Sequence, residues 1–439
     1  MGKVNLLIAI TLSMLASSVE ADDLLTVFRK AVDADPKLRS SQLMAEIGTA
    51  QKGQALGQML PQVMGTANWS ANDQNIQYTN APLQSHYKGT RYYVSLNQTL
   101  FDFAKYWDWR RASKIEDQYE AESTEAFNTL ILDVVDRYFT TLEADDQLIY
   151  VHTEKLATEK QLQQIQKRFS KQLTKITDVY EVEARLDQLV ADEIRAESEL
   201  VTAQQSLREL TGETITSLCK IRPSIDYLPL EGDLQQWLDM AQSQNPLLFS
   251  KHLAIEAAEN NVAVQKSKYL PVVDLQLNFY DTDTGYQSTR TAPIQTQVAA
   301  INVNVPIFNG GTTTHQLYEA KHRLEISKSD NEAALRNLLK ETSDSFLTTN
   351  ANARHVKAAV KSVDSAIKSR ESMEKGLKYG VVTVSDLLKA QQGEFLALRD
   401  LSKAKYSYIK NRIRFLRALG SVNEQNIIEV NDWLMAETN

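Results

Sequence analysis

The residues best suited to metal chemistry are His315, Glu319 and His322, since imidazole and carboxylate groups are common metal ligands. At helical spacing all three share one face. Two helical turns separate the two histidines by roughly 10 Å along the axis, which is wide for ligands that each lie about 2 Å from one ion. We therefore interpret them as ordinary polar helix residues and expect neither a metal nor another cofactor.

No group of residues predicts catalysis. The sequence has no G-x-S-x-G nucleophile motif, no H-E-x-x-H zinc motif and no phosphate-binding glycine loop. Gly310-Gly311 is better interpreted as a flexible passage from a strand to a helix. The single cysteine, Cys219, excludes a disulfide framework and a Cys-rich metal site. We expect no enzyme, and a periplasmic hydrolase is disfavoured because a nucleophile and a base are missing.

Composition narrows the class of protein. The 439 residues include 48 basic and 56 acidic side chains, a net charge of -8 without a basic block, which argues against a general nucleic-acid binder. A hydrophobic content of 43% with nine prolines and fifteen glycines disfavours a disordered chain. The sequence has no internal run of 18 apolar residues, so it predicts no transmembrane helix.

The N-terminus is typical of a secretory signal. Lys3 precedes an apolar run over residues 6–16, and small residues follow at Val19 and Ala21. A charged start, a short apolar centre and small residues before the cut predict cleavage after Ala21. The alternative is a buried N-terminal helix. We assign residues 1–21 to the signal and expect the mature chain to be exported.

The rest of the chain contains an internal repeat. Pro36 and Pro61 recur 210 residues later as Pro246 and Pro271. Other pairs keep offsets of 207 or 208: Leu100-Phe101-Asp102 with Ile307-Phe308-Asn309, Ile176-Thr177-Asp178-Val179 with Val384-Ser385-Asp386-Leu387, and Gly212 with Gly420. A nearly constant offset predicts two tandem copies of one unit. We place the first repeat at 22–212, the second at 213–420, and a C-terminal tail at 421–439, which we expect to lie against the outside of a helical tunnel.

Each repeat begins with the same predicted elements. Asp35 and Asn245 can cap helices whose first residue is proline, and the helices run to Leu60-Pro61 and Leu270-Pro271. Alternation of apolar and polar residues follows, which predicts two strands per repeat with one apolar face. The apolar positions are Val63, Gly65, Ala67, Trp69, Tyr92, Val94, Leu96, Val273, Leu275, Leu277, Phe279, Ile301, Val303 and Val305.

Four such strands leave an apolar sheet face to be covered. An ordinary α+β domain, with helices on that face, is one solution. The strand length of about ten residues and the aromatics near the strand ends favour a membrane instead. The residues expected to face lipid or its interface are Trp69, Tyr92, Val94, Leu275, Phe279 and Val303. Open sheet edges are not tolerated in lipid, so several chains must close one barrel. Two chains would supply eight strands and three would supply twelve, and spacing alone does not choose.

Very long helices follow the second strand of each repeat. Residues 83–222 and 307–439 contain no proline, and Val135, Leu142, Ile149 and Leu156 recur every seven residues. This spacing is typical of coiled-coil packing. A helix over about 103–168 would be ~100 Å long, which predicts a rod, tube or bundle.

Taken in order and spacing, these motifs resemble the TolC family of bacterial outer-membrane efflux and secretion channels over residues 22–420. The matching segments are the two Pro-to-Leu-Pro helices, Leu100-Phe101-Asp102, Pro306-Ile307-Phe308-Asn309-Gly310-Gly311, and Tyr379-Gly380 to Ser385-Asp386-Leu387-Leu388. The resemblance implies a mainly α fold with transmembrane β structure. It implies a homotrimer with a twelve-stranded outer-membrane barrel, four strands per chain, and a helical periplasmic tunnel closed at its inner end. It also implies docking to a periplasmic adaptor and an inner-membrane pump or exporter.

The turns between the long helices are the candidate gate. Thr177 or Asp178 can cap the second helix of the first pair, with Glu181 completing a capping box, and Ser385 or Asp386 does the same in the second pair. In the family, the second turn lies near the closed end of the tunnel. Asp386 would then repeat once per chain as an acidic ring, which attracts cations and impedes anions.

The sequence departs from the best-known family pattern around these turns. A second acidic residue is replaced by Lys389, which can pair with Asp386 at i, i+3 and weaken a cation preference. The tyrosine and arginine of the familiar latch align with Leu377 and Val382, so we expect closure by apolar contact. The adaptor-contacting turns align with Gln172 and Gly380, and glutamine strains a left-handed turn position.

The sequence thus predicts an outer-membrane exit duct of a tripartite efflux pump or a type I secretion system. It conducts passively and is gated at its periplasmic end. The alternative is a secreted periplasmic coiled-coil scaffold or adaptor whose strands form a soluble domain.

Overall fold

The computed structural model describes residues 21–77, 82–215, 217–223, 225–283 and 292–435. The predicted signal, apart from Ala21, lies outside these residues, as do the last four residues of the tail. None of the helices within these ranges combines the length and hydropathy that a membrane-spanning helix needs.

The same order of elements occurs twice along the chain. The first half contains α1 (Leu24–Ala34), α2 (Pro36–Gly57), β1 (Gln62–Gln77), β2 (Pro82–Phe101), α3 (Phe103–Ser170) and α4 (Ile176–Thr211). A short strand, β3 (Lys220–Ile221), precedes the second half. This half contains α5 (Leu234–Gln244), α6 (Pro246–Ser267), β4 (Val272–Asp283), β5 (Ile294–Asn304), α7 (Thr312–Lys378) and α8 (Val384–Ala418). The tail adds α9 (Glu424–Asn431) and β6 (Leu434–Met435).

Local signals explain the starts and ends of the shorter helices. Asn245 caps α6 as predicted, because its Oδ1 accepts a hydrogen bond of 3.0 Å from the Leu248 N–H. Both α2 and α6 begin at proline. They end three residues before Leu60 and Leu270, whose N–H groups close tight turns onto Gly57 and Ser267.

The long helices predicted from heptad spacing are confirmed, since α3 has 68 residues and α7 has 67. The predicted seam on α3 divides in this chain. Val135 and Leu142 are buried, whereas Ile149 and Leu156 are exposed. A straight helix drifts about 20° per heptad from a seven-residue repeat, so one stripe cannot remain on the same neighbour throughout.

The chain divides into two compact units, each built from segments of both halves. The sheet unit comprises residues 37–127 and 240–340. The helical unit comprises residues up to 36, 128–239 and 341–439. Helices α3 and α7 contribute residues to both units.

Aromatic side chains form the core of the helical unit. Tyr138 and Phe139 of α3 are fully buried, as is Tyr408 of α8. The Tyr138 hydroxyl donates a hydrogen bond of 2.9 Å to the Cys219 carbonyl, so its polar end is satisfied. Burial of each such ring stabilises the fold by about 1.5–3 kcal/mol.

The C-terminal tail packs into the same unit. Ile427 and Val430 of α9 are buried, and β6 pairs antiparallel with β3. Asn431 of α9 donates to Asp23 Oδ2 at 3.0 Å and accepts from the Leu25 N–H at 3.1 Å. These bonds join the end of the described chain to its beginning.

Candidate functional site

The four long strands form one antiparallel sheet in the order β1-β2-β4-β5. Consecutive strands within each half pair directly, and β2 pairs with β4 across the halves. Within the described residues β1 and β5 are therefore the outer strands, each paired on one side. The sheet belongs entirely to the sheet unit.

The strand register places the predicted apolar residues on one face. Gly65 lies opposite Val94, and Val94 lies opposite Phe279. Leu275 lies opposite Ile301, and Val273 opposite Val303. Side chains in directly opposite positions project from the same face of a sheet. The alternation read from the sequence is therefore confirmed as a single apolar face that crosses all four strands.

That face is largely uncovered in one chain. Trp69 is 67% exposed and Val303 is 59% exposed, and Tyr92, Val94 and Phe279 are exposed too. Leu275 is half-buried. Trp69 and Tyr92 contact each other edge to face, with ring centroids 6.0 Å apart. A continuous uncovered apolar face of this kind marks an interaction surface rather than a finished exterior.

The opposite face is mainly polar and carries its own contacts. The rings of Tyr93 and Tyr280 stack with centroids 4.7 Å apart, and the Tyr93 hydroxyl donates to Asn278 Oδ1 at 3.2 Å. Asn302 donates to Gln276 Oε1 at 3.1 Å. Side-chain amides and hydroxyls in such positions suit contact with water.

The strands differ in extent from the alternating segments. Strands β1 and β2 continue beyond the apolar stretch, to Gln77 and from Pro82, because their polar ends still pair in register. The assignment of Val305 to a strand was wrong, since β5 ends at Asn304. Pro306 explains this end, because proline has no N–H for the ladder.

The two turns between long helices share one geometry. After α3, the Leu173 N–H bonds to the Arg168 carbonyl at 2.9 Å and the Gln172 N–H to Phe169 at 2.8 Å. After α7, Val381 and Gly380 make the equivalent bonds to Gly376 and Leu377, at 2.9 and 3.2 Å. Both turns are Schellman motifs, which require a left-handed residue.

Gln172 and Gly380 occupy that left-handed position. Their φ angles are 62° and 74°, and Gln172 is the sole residue other than glycine with positive φ in the described part of the chain. The left-handed position predicted for this glutamine is confirmed, and the strain that a side chain causes there stays a prediction. Both residues are exposed.

The predicted N-caps of the following helices were wrong. Helix α8 begins at Val384 with Thr383 as its N-cap, and Asp386 is the third helical residue. The Thr383 hydroxyl accepts from the Asp386 N–H at 3.2 Å, and Asp386 Oδ2 accepts from the Thr383 N–H at 3.0 Å. Thr383 is the N-cap because it immediately precedes the first helical residue, where its hydroxyl can accept from the free N–H groups of the first turn.

Helix α4 begins at Ile176, so Thr177 and Asp178 lie inside it, and Glu181 does not complete the box. Asp178 is also the third helical residue. Its carboxylate accepts from the Lys175 N–H at 3.2 Å and from the Thr174 hydroxyl. The N-cap residue here is Lys175, whose ammonium group cannot accept a hydrogen bond. This turn therefore has only one of the two hydrogen bonds of the capping box found at Thr383.

Asp386 accepts a hydrogen bond from the Thr383 N–H in the capping box through its carboxylate and remains accessible to solvent. Its side chain is exposed, as is that of Lys389 one turn along the helix. The pKa of Asp386 lies below its ordinary value of 3.8, chiefly because the Thr383 hydroxyl and then the Thr383 N–H donate to the carboxylate. The charge of Lys389 lowers this pKa further. The carboxylate therefore keeps its negative charge at neutral pH.

Leu377 and Val382 are half-buried within their own chain. Leu377 packs against an apolar cluster at this end of the helical unit; its buried members are Ile165, Val179, Val182 and Val384. Val382 lies closely over Gly376, where an added Cβ would come within 3.0 Å of the valine Cγ2. Closure of a gate by these two residues stays a prediction.

A buried charge cluster was missed by the sequence analysis. Glu154 of α3 is only 3% exposed, and its two oxygens contact different helices. Oε1 binds Arg185 of α4, and Oε2 lies 3.5 Å from Arg399 of α8. The signal available was Glu154, Thr158 and Gln161 at spacings of four and three, where apolar residues are expected on a buried helix face.

The histidine cluster makes ordinary helical contacts. Glu319 accepts from Arg323 at 2.7 Å, and the His315 ring lies against Tyr318 with centroids 6.3 Å apart. Among the described residues, no group of histidine, cysteine and carboxylate side chains is arranged to hold a metal.

A family model described as outer membrane efflux protein matches residues 27–213 and 237–421. The chain belongs to the outer membrane efflux protein family. This family protein is 28% identical to the outer membrane protein TolC of Vibrio cholerae, over 97% of both chains. It is 26% identical to the alkaline protease secretion protein AprF of Pseudomonas aeruginosa, over 95% of this chain and 88% of AprF.

A solved structure shows the same fold. The outer membrane channel CmeC of Campylobacter jejuni matches with a TM-score of 0.80 and 17% identity, over 94% of this chain and 90% of CmeC. The family protein thus has the fold of TolC-like channels, with long helices and four sheet strands per chain. It is an exit duct of the outer membrane that extends into the periplasm.

Proposed function

We propose that three copies of this protein close a twelve-stranded barrel in the outer membrane and continue it as a helical tunnel. The observation that carries the proposal is the four-stranded sheet, whose one apolar face crosses every strand and whose outer strands β1 and β5 each pair on one side. Lipid offers no partner for edge N–H and C=O groups. Pairing β1 of one copy with β5 of the next satisfies both edges.

Exposed apolar stripes on the long helices support the same assembly. Ile149 and Leu156 of α3 are exposed at heptad spacing, and so are Val190, Ile194 and Val201 of α4. Such stripes in coiled coils are covered by another helix. In the proposed trimer, a helix from a second copy of the chain covers these stripes.

We propose that the two repeats, 22–212 and 213–420, each contribute two strands and one helix pair to this wall. The family model matches the chain in two segments, 27–213 and 237–421, which supports these boundaries. Each compact unit combines both repeats, as expected when equivalent elements of two copies pack side by side.

The helix turns form the periplasmic gate in this proposal. Asp178, Leu377, Val382, Asp386 and Lys389 lie in or beside the two turns that end the long helices. Asp386 supplies negative charge and Lys389 offsets it, while Leu377 and Val382 hold the turn by apolar contact. The exposed Gln172 and Gly380 mark the turns that contact a periplasmic adaptor.

The duct conducts passively and performs no catalysis, so energy comes from an inner-membrane pump or exporter. AprF is named for secretion of a protease, and CmeC for an outer membrane channel. Both tripartite efflux and type I secretion remain the proposed setting.

Oligomeric state and conductance test the proposal together. Native mass measurement of detergent-extracted protein should give three chains, and the same material should form water-filled pores in planar bilayers. Extraction should require detergent. Release of a monomer by osmotic shock, without bilayer conductance, would instead support the periplasmic scaffold.

The gate is tested separately by Leu377→Ser and Val382→Ser. Each should raise single-channel conductance, because polar side chains loosen the packed turn. The control is Val381→Ser, since Val381 lies in the same turn but is exposed. Unchanged conductance in both test variants would contradict the gate assignment and leave the trimer unaffected.

A further inference from the structure

A cavity in the helical unit lies between the last turns of α3 and α7 and the first turns of α8. Its volume of about 640 Å³ is in the range of pockets that hold small organic ligands. One part of its wall is apolar, formed by Ile165, Leu377, Leu387 and Phe395. This wall offers a surface for a flat or branched hydrocarbon body.

Gln161 is a buried polar residue of this wall whose side chain has no hydrogen-bond partner among the described residues. The residue is 6% exposed, and both its Oε1 and its Nε2 are buried without a hydrogen bond to any described residue. Gln391 Oε1, on the same wall, is buried and unpartnered as well. Buried polar groups without a hydrogen-bond partner destabilise the folded chain, so a ligand that forms hydrogen bonds with them gains binding free energy.

The charges around the cavity favour an anion. Arg370 forms ion pairs with two carboxylates that also line the cavity, since it binds Glu394 and lies 3.1 Å from Glu374. Lys160, Arg168 and Lys378 also line the cavity, and they have no carboxylate partner among the ion pairs of the described chain. These three positive charges and the amide N–H donor of Gln161 are suited to bind a carboxylate.

We propose that this cavity binds a small organic anion with an apolar body, such as an aryl carboxylate. The carboxylate accepts from Gln161 Nε2 and faces the cations, while the hydrocarbon lies on Leu377 and Phe395. The bound molecule contacts α3, α7 and α8 at once. This ligand site goes beyond the proposed duct and does not depend on it.

Binding of 1-naphthoate to the full-length protein in detergent tests the proposal by calorimetry. We expect one site per chain with a dissociation constant of about 1 mM or tighter. The neutral 1-naphthamide tests the need for charge, and inorganic phosphate tests the need for an apolar body. Both should bind at least about tenfold more weakly, since each lacks one half of the recognition.

Two variants and a matched control locate the site. Gln161→Met keeps the volume and removes the amide, and should weaken 1-naphthoate at least tenfold. Arg168→Gln should weaken it too, and provides a second probe if the buried change impairs folding. Gln163→Met is the control, because Gln163 is exposed on the same helix and does not line the cavity.

The proposal is overturned if 1-naphthoate does not bind the wild type, or if Gln161→Met and Gln163→Met bind it equally. Equal binding of 1-naphthamide would contradict an anion site. Increased thermal stability of Gln161→Met, with no binding to the wild type, would show that Gln161 is only a buried polar residue. None of these outcomes depends on whether the protein conducts ions.

Discussion

Gln172 and Gly380 hold the same left-handed position in two equivalent Schellman turns, 208 residues apart. The two Schellman hydrogen bonds are equivalent in both turns, so this part of the backbone geometry does not depend on glycine being present. The free-energy cost of the left-handed conformation depends on the side chain at this position. A left-handed residue with a Cβ is about 1–2 kcal/mol less favourable, and glycine avoids this penalty.

Gln172→Gly should therefore stabilise the chain by about 1 kcal/mol, and Gly380→Ala should destabilise it by a similar amount. Thermal unfolding in detergent measures both. The control is Gln163→Gly, the same substitution in the exposed interior of α3, which should cost up to about 1 kcal/mol. A Gln172→Gly variant less stable than wild type would contradict the assignment of strain.

Asp386 predicts a pH dependence of stability. Its pKa is lowered in the folded chain by hydrogen bonds from Thr383, so its contribution is complete above the unfolded value of 3.8 and is lost as pH falls through the folded value. Asp386→Asn should thus be less stable than wild type at pH 7. The difference in melting temperature should begin to shrink below about pH 4 and should close as the pH falls through the lower pKa of the folded chain.

Thr383→Val checks the cause of this pH dependence. It removes the hydroxyl that contributes most to the lowered pKa. On that background, Asp386→Asn should change the pH dependence less than it does in the wild type. A difference in stability between the wild type and Asp386→Asn that stays constant from about pH 3 to pH 7 would count against a charge-based role.

Lys389 predicts the ion selectivity of the proposed pore. Lys389→Asp adds a second acidic residue beside Asp386, so a cation preference should strengthen. Reversal potentials in a KCl gradient measure the change. Lys361→Asp makes the same charge change at an exposed position of α7. If both variants shift the potential equally, net charge rather than position at the turn is responsible.

The sequence predicts what depends on local periodicity. The alternation around Val94 and Phe279 predicted the apolar face correctly, because residues two apart in a strand lie on the same face of the sheet. Asp386 and Thr383 show the limit. Both are good capping residues, and only the backbone reveals that threonine precedes the helix while aspartate lies in its first turn. The polar spacing around Glu154 indicates a buried polar position, but its partners Arg185 and Arg399 could not be predicted because they come from helices distant in sequence.

Glu154 predicts a large loss of stability when its charge is removed. Glu154→Gln leaves Arg185 and Arg399 without their shared carboxylate, and breaking a buried ion pair costs about 3–5 kcal/mol. Chemical denaturation measures the loss. Asp364→Asn is the matched control, because Asp364 pairs with Lys368 at an exposed site, where a pair contributes less than about 1 kcal/mol. Equal losses would show that the buried cluster has no special role.

The sheet face supplies the sharpest test of a lipid-facing surface. Val94 lies in the middle of the apolar face, opposite Gly65 and Phe279, whereas Asn97 lies on the other face of the same strand. A lysine facing the centre of a bilayer costs about 2–4 kcal/mol. Val94→Lys should therefore reduce the amount of protein recovered in outer-membrane fractions as an oligomer.

Asn97→Lys introduces the same charge on the polar face and should leave recovery close to that of wild type, because water on that side solvates the ammonium group. Comparing the two variants separates a lipid boundary from general disruption of the strand. Similar losses in both would mean that strand pairing is at fault. Full recovery of Val94→Lys would exclude Val94 from the lipid-facing wall, because that wall cannot hold an unpaired charge at its centre without loss.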